Sequence, residues 1–326
     1  MTASPRFAHR LALAVACLIV AGITGASALD YPTKPVRIVV AFAPSGAADI
    51  MARLIAQWLS ERFGQPFIIK NRSGAGGNIG TEAAIRAPPD GYTLLLAVSP
   101  NAINATLYDK LNFNILTDIV PVAGIMRTPH IMLVHPSFPA KTVPEFIAYA
   151  KANPGKVNMG SVGIGSTNHV SGELFNMMAG VKMVHVPYRA AGSVFSDLVA
   201  AQVNVLFGTM AASIEFVKAG TLRPLAVTSA TRLEALPGIP TVDETLPGYE
   251  TTLWGGIAAP KTTSAEIVGK LNKEINAGLA DPKLKARLAV LGGTVLPGSP
   301  EEFGKLIADE TEKWGKVVRA ANIRVE

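Results

Sequence analysis

Small hydroxyl residues and glycines alternate in one stretch of this sequence, GSVGIGSTNH, over residues 160–169. A helical pattern begins at about Asn168, so the stretch leads into a helix N-terminus. Its hydroxyl donors and unhindered backbone amides belong to Ser161, Gly163, Gly165, Ser166 and Thr167. Such donors suit a carboxylate or a phosphate. We therefore predict an anion-binding loop, in which His169 could either donate to the ligand or brace the loop.

A second stretch, APSGAAD, over residues 43–49, follows an apolar run and opens another helix. Small residues allow backbone N–H groups to face a bound anion. The residues concerned are Ala43, Pro44, Ser45, Gly46 and Ala47. An ordinary turn between a strand and a helix favours the same residues, so both interpretations stay open. Asp49 is expected to cap the helix, with a ligand contact as the alternative.

Nucleotide and catalytic signatures are missing from these stretches and from the rest of the sequence. A P-loop ends in Gly-Lys-Ser/Thr and a dinucleotide turn needs G-x-G-x-x-G, and neither spacing occurs in the glycine-rich loops. The sequence has no G-x-S-x-G elbow and no H-E-x-x-H pair. His130 and His135 point to opposite faces of a strand-like run, so they make a poor metal pair. With His185, they are expected to be core or strand-end histidines. We predict no enzyme activity, no cofactor and no metal.

The first 28 residues resemble a secretory signal peptide, with a basic start, an apolar run over residues 11–23 and small residues before Leu29. The apolar run is shorter than the roughly 20 residues that span a bilayer. Cleavage after Ala28 would remove Cys17, the only cysteine. A lipid-anchored start at Cys17 is the alternative. The net charge of +6 comes from scattered Lys and Arg, which argues against nucleic-acid binding.

From Val36 onwards, short apolar runs alternate with helical patterns, as in α/β proteins with parallel strands covered by helices. Three helix starts carry a capping-box pattern. They are Thr142 with Glu145, Thr263 with Glu266, and Ser299 with Glu302. The block over residues 264–322 is helical without strand runs, so it must pack on sheets formed earlier in the chain. The strands HIMLVHP (130–136) and LWGGIAAP (253–260) are expected to cross between two lobes as a hinge.

Long stretches resemble the Bug-type extracytoplasmic solute receptors, the binding proteins of tripartite tricarboxylate transporters. They include YPTKPVRIVVAFAPSGAADIMAR, NRSGAGGNIGTEAAIRAPPDGYTLL, VNMGSVGIGSTNHVSGELF, VHVPYRAAG, AGTLRPLAVTSATRLEALPGIPTVDE and WGGIAAP. The resemblance implies an α/β periplasmic-binding-protein type II fold, in which two lobes with a hinge close an interlobe cleft on a ligand. The predicted boundaries are residues 1–28 for the signal peptide, 29–127 with 252–326 for lobe 1, and 128–251 for lobe 2.

The resemblance also implies ligand contacts at particular positions. Both loops described above match contact regions of the family. A third region follows the LLLAV run at Ser99 and Asn101, and a fourth follows VNVLF at Gly208 and Thr209. Family members often have an acidic or amide residue in the fourth region, and its absence here favours ligands without an amino group. Replacing Gly165 by valine is expected to block binding and leave the fold intact.

By this resemblance, the protein is a periplasmic monomer that captures a small aliphatic or aromatic mono- or dicarboxylate. It would deliver the ligand to the membrane permease subunits of a tripartite tricarboxylate-type transporter. The alternative is a ligand-sensing receptor that docks on a membrane sensor protein.

Overall fold

A computed structural model describes residues 30–325, so the predicted signal peptide lies outside the described residues. The chain divides into a short unit that ends at Thr33 and a unit that starts at Lys34. The fold described below is that of the second unit. No helix among the described residues is long and apolar enough to cross a membrane.

The first part of the second unit alternates strands with helices. Its elements are β1 (Val36–Val40), α1 (Ala47–Phe63), β2 (Phe67–Asn71), a 3-10 turn (Ala75–Gly77), α2 (Asn78–Ile85), β3 (Thr93–Val98) and α3 (Ser99–Leu107). β1 pairs in parallel with both β2 and β3. Four of the five residues of β1 are buried, as expected for a parallel strand that is covered on both faces.

The central part begins with a long strand and returns to the first strands at its end. Its elements are β4 (Ile119–Val134), α4 (Val143–Ala152), β5 (Asn158–Ser161), α5 (Thr167–Ala179), β6 (Val184–Pro187), α6 (Ala191–Val199), β7 (Val205–Thr209), α7 (Met210–Lys218), β8 (Arg223–Val227) and β9 (Thr252–Pro260). The last part is mainly helical. Its elements are α8 (Ala265–Ala280), α9 (Pro282–Ala289), β10 (Thr294–Val295) and α10 (Pro300–Ala320).

β4 changes partners along its length. From Ile119 to Pro129 it runs antiparallel to β9, and from His130 to Val134 it runs antiparallel to β7 and β8. β9 also pairs with β3, and β5 pairs in parallel with both β6 and β7. The strand order is therefore β2-β1-β3-β9-β4-β7-β5-β6. The predicted outgoing strand begins earlier than expected, because β4 already pairs with β9 before His130.

The helical end of the chain differs in one detail from the expectation, because the two residues of β10 pair with Met126 and Arg127 of β4. Two glycines bring the chain close enough for this pairing. Gly292 has φ 73°, a conformation that side chains disfavour. At Gly293 a Cβ would stand 2.0 Å from Met126 Cε. The expectation of a block without strands was therefore wrong at this point.

The last helix, α10, packs against elements from several parts of the chain. It packs against α3, β4 and α5, and Leu107, Phe175 and Trp314 belong to one continuous buried cluster. Within this cluster Glu310 accepts hydrogen bonds from the indole N–H groups of Trp254 (3.2 Å) and Trp314 (2.8 Å). A buried carboxylate thus ties α10 to β9.

Candidate functional site

The loop between β5 and α5 has a backbone that requires glycine. Gly163 and Gly165 have φ values of 122° and 73°, which L side chains rarely adopt. Gly165 also lies against Leu107 of α3, where an added Cβ would stand 2.2 Å from Leu107 Cδ2. Replacing Gly165 by valine would therefore strain the fold, contrary to the expectation from sequence.

The hydroxyl groups of this loop are used inside the protein. Ser166 caps α5, since its Oγ accepts from the His169 N–H (3.4 Å) and donates to the Gly163 carbonyl (2.7 Å). Ser161 is fully buried, and its Oγ accepts from the Gly163 N–H at 3.1 Å. The Thr167 hydroxyl lies 3.1 Å from His130 Nε2. These side chains shape the loop in addition to any contact with a ligand.

The amides of Gly163 and Gly165 have internal partners, although the sequence suggested that they were open to an anion. The Gly165 N–H donates to His169 Nδ1 at 3.1 Å, and that of Gly163 donates to Ser161. The amides of Thr167 and Asn168, in the first turn of α5, have no carbonyl partner within the helix. α5 has no acidic residue in its first turn, so no carboxylate of that turn offsets the positive end of the helix dipole.

Two histidines stack behind this loop. The rings of His169 and His185 have centroids 3.5 Å apart and an interplanar angle of 9°. Burial, with a smaller contribution from the neighbouring His185, lowers the pKa of His169 to about 3, and burial lowers the pKa of His185 to about 4. Both rings are therefore neutral near pH 7. His169 braces the loop, which is one of the two roles open to it from sequence.

His130 is fully buried where β4 changes partners. Its backbone N–H donates to Thr228 Oγ1 at 2.7 Å, and in the β4–β7 register it stands opposite Thr209. Burial lowers the pKa of His130 to about 4, so it is also neutral near pH 7. This agrees with its interpretation as a core histidine. Through Thr167 it links β4 to the first turn of α5.

The first loop, between β1 and α1, lies at the surface. Ala43 to Ala47 are exposed, and Ser45 has φ 68°. The carboxylate of Asp49 holds this turn, because it accepts from the Ser45 N–H (2.9 Å), from Arg53 Nε (2.9 Å) and from Asn71 Nδ2 (2.8 Å). These hydrogen bonds, that of Arg53 above all, lower the pKa of Asp49 to about 2. Sequence reasoning missed Arg53 and Asn71 as partners of this loop.

The third predicted region is more buried than the first loop. Ser99 Oγ accepts from the Trp254 N–H at 2.8 Å, which ties α3 to β9. Asn101 caps α3 by accepting from the Val98 N–H at 2.8 Å, and its Nδ2 donates to Thr81. The side chains of Ser99 and Asn101 thus have internal partners, and their contact with a ligand stays a prediction.

The fourth predicted region is the carboxyl end of β7, directly before α7. Gly208 is buried, and a Cβ there would stand 2.5 Å from Ser213 Oγ. Thr209 is half-buried and precedes the first residue of α7 without capping it through its side chain. All four regions lie at the carboxyl end of a strand, where a helix begins, as in the ligand crevices of α/β proteins.

Comparisons with known proteins identify the class. Residues 51–323 match the family model described as "Tripartite tricarboxylate transporter family receptor". The chain is 34% identical to protein BugT of Bordetella pertussis over 94% of this chain and 95% of BugT. It is also similar to Rpa4515 of R. palustris, solved with adipate (TM-score 0.78, 37% identity, 90% of this chain and 99% of that one). The chain is also similar to MatC of Rhodopseudomonas palustris, solved with bound malate, with a TM-score of 0.75 and 30% identity. This match covers 88% of this chain and 100% of MatC.

The fold and these matches define a solute-binding receptor with an α/β periplasmic-binding-protein type II fold, and not an enzyme. More narrowly, the chain belongs to the tripartite tricarboxylate transporter receptor family. The family resemblance stated from sequence is therefore confirmed.

Proposed function

We propose that this protein is a periplasmic receptor that captures a small organic carboxylate and delivers it to the membrane permease subunits of a tripartite tricarboxylate-type transporter. The observation that carries the proposal is the pair of structural neighbours with adipate and with malate, which match at 37% and 30% identity over nearly their whole length. Both ligands are aliphatic dicarboxylates without an amino group, in keeping with the lack of an acidic or amide group at Gly208 and Thr209.

The ligand cleft is proposed to lie between two lobes, residues 34–127 with 252–325 and residues 128–251. The partner change of β4 supports this division, because it occurs at Pro129 and His130, close to the proposed boundary. The start of β9 at Thr252 supports the second boundary. β4 and β9 would then form the hinge, and closure about it would bring the first loop towards the loop before α5.

We propose that backbone amides in the first turns of α1 and α5 bind the carboxylate groups. Helix N-termini favour anions because their N–H groups lack partners and carry the positive end of the dipole. Val162 and Ile164, which flank Gly163, are 37% and 44% exposed. Their apolar side chains are suited to contact the hydrocarbon part of a carboxylate. The contacts predicted at Ser99, Asn101, Gly208 and Thr209 are also proposed, because these residues lie where a strand ends and a helix begins.

The proposal is tested first by calorimetric titration and thermal shift of the chain without residues 1–28, freed of co-purified ligand, against adipate, malate, citrate, benzoate and glutamate. A ligand at about a thousand times its Kd stabilises the fold by roughly 4 kcal/mol, so the melting temperature should rise by several degrees. Absence of binding by every carboxylate in the panel would contradict the proposed function.

The first loop is tested by adding charge where the fold tolerates it. Ala47 is exposed and is the first residue of α1. A glutamate at such a position stabilises the helix but repels a bound carboxylate. We expect Ala47→Glu to weaken binding of adipate or malate at least about tenfold, while Ala47→Gln, of the same shape, stays near wild type. Equal affinities of the two variants would remove the first loop from the site.

Delivery is tested by uptake. Cells that contain the permease subunits should accumulate the radiolabelled ligand only when the receptor is present, and the glutamate variant should lower uptake at limiting ligand. A receptor that binds the ligand without supporting uptake would contradict the transport role and favour docking on a sensor protein.

A further inference from the structure

The stacked histidines each hold a different part of the loop between β5 and α5. His169 Nδ1 accepts the Gly165 N–H at 3.1 Å, and His185 Nε2 lies 2.6 Å from Ser161 Oγ. Ser161 Oγ also accepts the N–H of Gly163. The two rings therefore fix both ends of the turn that leads into α5, one directly and one through Ser161.

The bond to Gly165 requires one particular form of His169. Since Nδ1 accepts a hydrogen bond, it carries no proton, and the ring proton lies on Nε2. Nε2 faces Glu173 Oε1 at 3.7 Å. Burial raises the pKa of Glu173 and lowers that of His169, so this contact is not a strong ion pair. A protonated Nδ1 would oppose the Gly165 N–H with a second donor.

The turn is also held by Ser166, whose Oγ donates to the Gly163 carbonyl, but the N–H groups of Gly163 and Gly165 depend on Ser161 and His169. Gly163 and Gly165 both have positive φ, and glycine gives a loop more conformational freedom than any other residue. A ligand that binds the amides in the first turn of α5 needs the loop that leads into this turn to be fixed in advance, because ordering it on binding costs affinity. The stacked rings supply this order from behind the loop.

We propose that His169 and His185 are positioning residues for ligand recognition, which act as a stacked neutral pair that holds the loop from Ser161 to Ser166 in its binding shape. The inference rests on the proposed function, because it assumes that this loop contacts the ligand. It assigns His185, which the sequence placed among core or strand-end histidines, to the support of the site.

Two pairs of variants separate the hydrogen bonds from the ring stack. His169→Phe and His185→Phe keep an aromatic ring and remove the nitrogen. His169→Asn and His185→Gln lose the ring and place a polar atom near Nδ1 and Nε2 respectively. His135→Phe is the matched control, since His135 bonds Ser137 outside this loop. His185 is half-buried, so its variants serve if those of His169 fail to fold.

The first measurement needs no ligand. Hydrogen exchange of residues 161–166 should become at least about tenfold faster in both phenylalanine variants and return towards wild type in the asparagine and glutamine variants. Nitrogen-15 spectra of wild-type protein near pH 7 should show the proton of His169 on Nε2. Unchanged exchange in the phenylalanine variants, or a proton on Nδ1, would overturn the inference.

The second measurement uses adipate and malate as probes. Titration should show affinity at least about tenfold lower in the phenylalanine variants, partial rescue by His169→Asn and His185→Gln, and no change in His135→Phe. If wild-type protein binds neither probe nor the other carboxylates while exchange responds as expected, the proposed function fails and the positioning of the loop stands. If wild-type protein binds and the phenylalanine variants bind equally well, the inference fails.

Discussion

Leu107, the last residue of α3, lies against Gly165 so closely that a Cβ on Gly165 would stand 2.2 Å from Leu107 Cδ2. α3 begins at Ser99, which is itself a predicted ligand contact. The contact therefore connects the helix that follows β3 with the loop that precedes α5, the two parts of the chain assigned to different lobes.

Gly165→Ala should destabilise the protein by about 2–4 kcal/mol, because it adds both an unfavourable backbone conformation and a clash. In the double variant with Leu107→Ala, the clash is relieved and only the backbone cost of Gly165→Ala remains. Urea unfolding of the two single variants and the double variant should show a non-additive cycle.

Gly180→Ala provides the control for the backbone cost alone, since Gly180 has φ 63° and open space around it. It should cost about 1 kcal/mol and should not couple to Leu107→Ala. Additive effects of Gly165→Ala and Leu107→Ala would contradict the contact.

Stability should fall in mild acid because three histidines are folded in the neutral form. Burial lowers the pKa of His130, His169 and His185 from 6.5 to about 4, 3 and 4. Between pH 6.5 and pH 4 the unfolded chain binds protons that the folded chain excludes, so the free energy of unfolding rises with pH. The contribution of the neutral histidines to the free energy of unfolding is complete above pH 6.5. It is lost as pH falls, by up to about 1.4 kcal/mol per pH unit for each histidine.

Urea unfolding at pH 7, 6 and 5 measures this slope. His185→Phe should lower it, because one of the three groups no longer titrates. A slope that stays the same in this variant would show that His185 is not held neutral in the folded protein.

Substitution of Glu310 should destabilise the protein more than substitution of an exposed carboxylate of α10. Its side chain is buried and accepts both tryptophan indoles, so Glu310→Ala leaves two buried donors without partners. We expect a loss of about 3 kcal/mol, and a smaller loss for Glu310→Gln, which retains an acceptor oxygen.

Glu312 is the matched control on the same helix, because its ion pair with Lys316 is exposed on both sides. Glu312→Ala should change stability by less than about 1 kcal/mol. Chemical denaturation of the three variants provides the comparison, and equal losses at Glu310 and Glu312 would be inconsistent with the role of the buried carboxylate.

Local signals in the sequence predicted local structure well. The alternation of apolar runs and helical patterns predicted the α/β class, and Thr142 and Ser299 cap α4 and α10 as expected. The capping box is complete at Ser299 with Glu302, whereas Glu145 accepts from the Lys141 N–H and not from that of Thr142. The third prediction is off by one residue. Ser264 caps α8, because the Thr263 hydroxyl donates instead to the Pro260 carbonyl at 2.8 Å.

The candidate site shows where sequence reasoning stops. The glycine and serine pattern predicted an anion-binding loop before α5. It did not show that the N–H groups of Gly163 and Gly165 donate to Ser161 and His169. The partner of His169 lies on β6, and the contact of Gly165 lies on α3. Such pairs depend on tertiary packing, which no spacing along one chain encodes.

α10 packs on α3 and on α5 within one continuous buried cluster, and these two helices belong to different proposed lobes. A wide opening of the lobes would therefore expose apolar surface at α10 as well as the ligand cleft. We therefore expect an opening that keeps α10 packed on α3 and α5 to cost less than one that separates these helices. We expect such a restricted opening of the proposed cleft to admit slender carboxylates more readily than bulky ones.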